Sequence, residues 1–291
     1  MPTDLRRGAA FVATACAAVA VSIPAAADET PLERGRYLIN SIVACGNCHT
    51  PQGPDGPLPG MELAGGMPIE LPGFLAYAPN ITPDPETGIG TWTDQQIITA
   101  IREGKRPDGT IIGPPMPIDM YRHMSDDDVQ AIVAYLRSVS AVKNVVPESR
   151  YDFPLPDSYG PPVTSVPEPD RSDEVAYGAY LAGPAGHCIE CHTAMVDGHF
   201  DFEHGLGAGG FEIPGPWGVA VSANITPHPK DGIGAWTDQQ INDAITKGIR
   251  PNGERLSPPM AFAYYANMTE ADLDAIVAYL RSLPPLRDPS S

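Results

Sequence analysis

Cysteine is scarce in this chain: five occur among 291 residues, at 16, 45, 48, 188 and 191. Cys16 lies in an apolar N-terminal run, and the other four fall in two short clusters. No cysteine is left over for a disulfide framework or a spare nucleophilic thiol. Basic residues are also few. Lys and Arg total 18 against 36 Asp and Glu, a formal charge of -18. That balance argues against nucleic acid and anionic membrane surfaces as partners. Beyond residue 27 no apolar run reaches the length of a membrane span. What the chain has instead is punctuation, with 34 Pro and 29 Gly. Much of it should be irregular, and hydrophobic residues at 42% still permit a packed core.

Residues 1–27 have the layout of a secretory signal peptide. Arg6 and Arg7 give the positive start, Ala9 to Ile23 is apolar and uncharged, and Ala25-Ala26-Ala27 offers a small-residue cleavage site. The run is short for a membrane anchor, so removal is expected. The mature chain is then expected to be soluble and periplasmic, with Cys45, Cys48, Cys188 and Cys191 as its cysteines.

Those four stand in two copies of one pattern, Cys45-Gly46-Asn47-Cys48-His49 and Cys188-Ile189-Glu190-Cys191-His192. C-x-x-C-H is the attachment signature of a c-type haem. On a helix, positions i, i+3 and i+4 share a face, so two thiols can form thioethers at the haem edge while the imidazole reaches iron. C-x-x-C also occurs in zinc sites and thioredoxin-like redox motifs. Two copies, each followed by His and each placed alike in a repeat, favour two covalently bound haem c groups.

The repeat spans most of the chain. Asn80-Ile81-Thr82-Pro83 returns as Asn224 to Pro227, Gly88-Ile89-Gly90 as Gly232 to Gly234, and Trp92 to Ile97 as Trp236 to Ile241. Pro114-Pro115-Met116 returns as Pro258 to Met260, and Ala131 to Ser138 as Ala275 to Ser282. The offset is 143 at the cysteine motifs and 144 from Asn80 onward, so one residue is inserted in the second copy. A period this long marks duplication of a whole domain rather than a solenoid. The expected division is a first domain over 28–146, a Pro-rich linker over 147–170 and a second domain over 171–291.

Helix starts are legible in each half. Thr30-Pro31-Leu32-Glu33 is a capping box with Pro in the first turn. Thr93 with Gln96 and Thr237 with Gln240 repeat the device, with Trp92 and Trp236 as staples. Ser125 and Thr269 should cap the closing helices, stapled by Met124 and Met268. Ser172 should open the first helix of the second half. The long stretches from 50 to 91 and 105 to 121 read as loops of the kind that lines a cofactor. The expected fold class is all-α, a few helices and long Pro/Gly-rich loops around one haem per domain.

An iron held by His on one side needs a second ligand to close it. A ligand common to both halves must sit at matched positions, and two methionine pairs qualify. Met124 and Met268 already serve as staples, whereas Met116 and Met260 sit in Pro-Pro-Met loops with no helical role. The expected ligands are therefore His49 with Met116 and His192 with Met260. His123, His187, His199, His204 and His228 have no histidine at the matched position of the other half. Asn80 and Asn224 read equally as turn formers or as hydrogen-bond donors near a haem propionate. Gly35 and Gly178 should let the first helix of each half approach the last.

The C-x-x-C-H, the downstream Pro-Met loop and the closing helix of each half resemble class I c-type cytochrome domains. The wider pattern of Asn-Ile-Thr-Pro, Gly-Ile-Gly, Trp-Thr-Asp-Gln-Gln-Ile and Pro-Pro-Met resembles the multihaem cytochrome c subunits of bacterial alcohol, gluconate and aldehyde dehydrogenases. This sequence departs from them in having two haem motifs rather than three and no C-terminal membrane segment. The resemblance implies electron transfer between a dehydrogenase or other donor and a respiratory acceptor. Redox partner proteins with a basic docking patch would complement the acidic surface. The alternative is a dihaem redox enzyme, such as a thiosulfate dehydrogenase or peroxidase, with one labile haem ligand. Matched Met loops, which close both irons, weigh against it.

Overall fold

A computed structural model describes residues 29–54, 56–215 and 217–289. The expected signal segment lies outside them. The first half contains helices α1 (Pro31–Asn40), α2 (Cys45–His49), α3 (Asp94–Glu103), α4 (Ile118–Tyr121) and α5 (Asp126–Ser138). The second contains α6 (Glu174–Tyr180), α7 (Cys188–Cys191), α8 (Asp238–Lys247), α9 (Phe262–Tyr265) and α10 (Glu270–Ser282). A π-helical turn, Leu181–Ala185, follows α6 and contains Pro184. The capping boxes of Thr30, Thr93 and Thr237 all form. Gly104 and Gly248 end α3 and α8 in the left-handed region. The second half's first helix is capped by Asp173, one residue after Ser172.

The expectation of an all-α fold is corrected by the strands: 33% of the chain is helical and 12% is strand. The stretches read as loops contain antiparallel hairpins: β1 (Gln52–Gly53) with β2 (Gly56–Pro57), and β3 (Pro68–Leu71) with β4 (Phe74–Tyr77). After β5 (Arg150–Tyr151) come β6 (Met195–Val196) with β7 (His199–Phe200), and β8 (Glu212–Gly215) with β9 (Gly218–Val221). Chain that is not helical must still pair its amides and carbonyls, and short ladders do so. Pro72-Gly73, with Gly73 at φ +91°, is the tight turn between β3 and β4.

In each half the first helix crosses the last at a glycine. A Cβ on Gly35 would lie 1.9 Å from the Ala131 carbonyl oxygen, and one on Gly178 would lie 1.8 Å from that of Ala275. Tyr135 and Tyr279 line the same crossings. Asn80 and Asn224 each hold a turn. Each Oδ1 accepts from the backbone and hydroxyl of the threonine two residues on. Each Nδ2 donates to the chain that follows the closing helix, at Val142 O (2.7 Å) or Leu286 O (2.8 Å).

The halves share one continuous hydrophobic cluster in which Leu38, Ile42, Tyr177, Leu181 and Ile276 are buried together. Their contact is reciprocal. Tyr37 on α1 donates to Asp272 at the start of α10 (2.5 Å) and accepts from the Thr269 amide (3.1 Å). The matched Tyr180 on α6 donates to Asp128 at the start of α5 (2.6 Å) and accepts from the Ser125 amide (3.2 Å). Each half thus supplies a hydroxyl to an N-terminus in the other, where unpaired amides need acceptors. The exchange departs from symmetry at one matched position. Arg34 also pairs with Asp128, at 2.7 and 3.0 Å; its matched residue is Tyr177, stacked on Tyr180.

Residues 150–166 run along the first half. β5 extends the β3–β4 sheet. Tyr151 Oη donates to Pro114 O (2.9 Å), and Tyr159 Oη to Ile112 O (2.7 Å). Farther on, Ser165 and Val166 bond to Asp126.

Candidate haem sites

The two cysteine motifs fold alike. α2 and α7 are each entered through a non-glycine residue in the left-handed region, Ala44 at φ +50° and the matched His187 at φ +42°. That conformation is costly for an L-residue, and the chain adopts it at the same place twice. The motif cysteines form no disulfide. Burial raises all four thiols, Cys45 and Cys191 to about 12 and Cys188 to about 11. None is set up as the depressed, reactive thiolate of a thioredoxin-like site. Among the described residues no three His, Cys, Asp or Glu side chains converge as a metal cluster, so a zinc site has no geometric support.

The imidazoles carry the decisive geometry. His49 Nδ1 lies 2.8 Å from Pro79 O, and His192 Nδ1 lies 2.6 Å from Ala223 O. A carbonyl only accepts, so each Nδ1 carries the proton and each Nε2 keeps its lone pair. Burial lowers both groups below the ordinary histidine value, which keeps them neutral. A neutral imidazole oriented by a carbonyl at Nδ1 is the arrangement that suits ligation of iron through Nε2. The carbonyls are placed by a close backbone approach. Gly65, at φ +73°, would drive a Cβ to 2.4 Å from the Pro79 carbonyl carbon, and the matched Gly209 meets Ala223 in the same way. These residues fit a c-type haem in each half.

The two methionine pairs lie in different settings. Met124 and Met268 are buried in the core beneath the closing helices. Met116 and Met260 are half-buried, each two residues before a short helix, α4 or α9. Both follow a cis Pro-Pro bond. His123, His199 and His204 are exposed, and His228 accepts from the Asp231 amide at 3.0 Å.

Sequence reasoning missed how the sites face one another. Tyr121 of α4 lies edge-on to His187 at the start of α7, ring centroids 6.0 Å apart. On the other side, Tyr264 of α9 stands over α2: a Cβ on Gly46 would lie 2.3 Å from its hydroxyl. Asn47 Nδ2 reaches Pro259 O at 3.4 Å. Tyr121 is buried and the matched Tyr265 half-buried, and desolvation raises both well above an ordinary phenol, so they stay protonated. Cys48 is among the neighbours that act on Cys191 and on Tyr265. Each motif is therefore roofed by the Met-loop helix of the other half. The repetition of Tyr121 as Tyr265, five residues after each methionine, was the available signal.

Comparison with known proteins agrees with this geometry. The cytochrome c family profile matches residues 32–140 and 175–284. The fructose dehydrogenase cytochrome subunit of Gluconobacter japonicus is 34% identical over 90% of this chain and 54% of its own length. The cytochrome c subunit of a quinone alcohol dehydrogenase from Gluconobacter oxydans is 31% identical over 94% of this chain and 60% of its own. This chain thus spans between half and two thirds of those two relatives. A diheme cytochrome c-type protein of Cereibacter sphaeroides is 28% identical over 83% of this chain and 82% of its own. With one such domain in each half, the chain belongs to the cytochrome c family, as an electron-transfer protein that carries two covalently bound haem c groups.

Proposed function

We propose that this chain is a periplasmic relay, taking electrons from a dehydrogenase and passing them to a respiratory acceptor. Cys45 and Cys48 bind the first haem by thioethers, with His49 and Met116 as its iron ligands. Cys188, Cys191, His192 and Met260 do the same for the second. The domains are 28–146 and 171–291, joined by 147–170. The haems supply one-electron iron chemistry. The chain keeps each imidazole neutral and aimed, holds tyrosines between the motifs, and fixes the distance between the halves. The carrying observation is the roofing of each motif by the other half, which sets two redox centres within one core. No helix among the described residues is long and apolar enough to cross a membrane.

The test is a visible redox titration of the purified protein beside Met116→His and Met260→His. Met–iron ligation gives a weak ferric band at the red end of the spectrum. Each substitution should remove one half of that band and lower the potential of one haem, since Met in place of a second His raises it. A ferric spectrum without the band would refute the methionine assignment. The charge of -18 adds a kinetic expectation. Electron transfer to a partner with a basic docking patch should slow as ionic strength rises, because screening removes the steering. A salt-independent rate measured by stopped flow would contradict it.

A further inference from the structure

The two methionine loops are matched in sequence but not in support. In the first half the strap formed by residues 150–161 holds the loop before Met116. Tyr151 Oη bonds Pro114 O, Tyr159 Oη bonds Ile112 O, and the Tyr151 ring covers Gly113, where a Cβ would come within 2.6 Å of it. Gly113 is buried, and Ile112 and Pro114 are half-buried. The Tyr159 ring lies over Gly104 in the same way, 2.7 Å from where a Cβ would stand.

The second half has no such strap among the described residues. The positions matched to Gly113 and Pro114 are Ser257 and Pro258, and both are exposed. No side chain among the described residues donates to the Leu256 or Pro258 carbonyl. The loop keeps the backbone bond from Leu256 N to Gly248 O (2.8 Å) and the long contact of Asn47 Nδ2 with Pro259 O (3.4 Å). The local sequence has diverged accordingly. Ser257 stands where a strap tyrosine would need glycine. Phe262, in place of Ile118, turns its ring onto Gly248, with the nearest atoms 3.1 Å from a Cβ built there.

We infer that the Met260 loop is the yielding one, so that the second iron site, and not the first, admits a small exogenous ligand such as cyanide. This rests on the methionine assignment proposed above. In the exchange cyanide would take, through its carbon, the position that the Met260 sulfur would hold, with no change of oxidation state and with the proton of hydrogen cyanide passing to solvent. Loss of the sulfur requires the loop to move. In the first half that motion also breaks two hydrogen bonds and uncovers Gly113.

The experiment mixes the oxidised holoprotein with cyanide and follows the red-end ferric band in time. Two phases are expected, the faster one at the second haem. Two neutral hydrogen bonds correspond to a rate ratio of roughly tenfold or more. Met260→His, which fills the position with a stronger ligand, should abolish the fast phase, and Met116→His should leave it. Tyr151→Phe combined with Tyr159→Phe keeps the rings and removes the hydroxyls, and should accelerate the slow phase alone by roughly tenfold. Equal rates at both haems, or a fast phase that disappears in Met116→His, would overturn the inference and leave the ligand assignment standing. A wild-type ferric spectrum with no red-end band would refute the assignment, and the inference with it.

Discussion

Asp128→Ala is expected to destabilise the folded chain by about 3–5 kcal/mol, because it leaves the Arg34 guanidinium buried without its counter-ion. The side chains of Arg34 and Asp128 are 9% and 3% exposed, so water cannot replace the lost partner. Asp128 also accepts from Tyr180, and its loss leaves that hydroxyl without the acceptor. The repeat supplies the control. Asp272 is matched to Asp128 and accepts from Tyr37, but Tyr177 stands where an arginine would pair with it. Asp272→Ala loses a charge-assisted hydrogen bond, worth about 1.5–3 kcal/mol, and strands no cation. Urea unfolding followed by circular dichroism gives both values. If the two substitutions cost the same, the ion pair is not what distinguishes the halves. The double variant Arg34→Met, Asp128→Leu should recover most of the loss, since a well-packed apolar pair avoids desolvating two charges.

Gly35→Ala and Gly178→Ala form the second large effect. A methyl carbon at 1.9 or 1.8 Å from a helix carbonyl oxygen cannot be relieved by a rotamer change, because both partners are backbone. The helices must separate along the whole crossing. Overpacking usually costs about 1–3 kcal/mol, and a backbone overlap of this depth belongs at or beyond the upper end. The gain in helix propensity, about 1 kcal/mol, opposes it only in part. Gly183→Ala is the comparison, since its Cβ would meet nothing nearer than Ile189 Cδ1 at 3.4 Å. Thermal unfolding should place Gly183→Ala near wild type and both crossing variants well below it. A crossing variant as stable as Gly183→Ala would show that the helices have room to part.

Features set by neighbouring residues were legible in the sequence. The capping boxes at Thr30, Thr93 and Thr237 follow from a polar residue and a glutamate or glutamine three positions later. The crossing glycines, the motif spacing and the separation of stapling from loop methionines follow from the repeat. The hairpins were not read, because Pro and Gly at high density mask short strands. Yet Ile69 and Leu71, then Phe74 to Tyr77, flank a Pro-Gly turn and carry a hairpin signal. The orientation of the halves was out of reach. Tyr37 and Asp272 are 235 residues apart, and no local pattern links them. The strap was hidden for a related reason. Tyr151 and Tyr159 lie in a Pro-rich stretch whose composition describes a spacer, while their role depends on carbonyls 37 and 47 residues earlier.

The exchange of Tyr37 and Tyr180 has the form of an isologous contact, in which residue i meets j and j meets i, as in a two-fold dimer. Perfect symmetry of that kind makes two centres equivalent and gives a current no preferred direction. Polarity has to enter through the places where the copies differ: Arg34 against Tyr177, Asn47 against Glu190, Gly113 against Ser257, and a strap on one side only. A duplicated chain is free to accumulate such differences one half at a time, which two identical subunits cannot do.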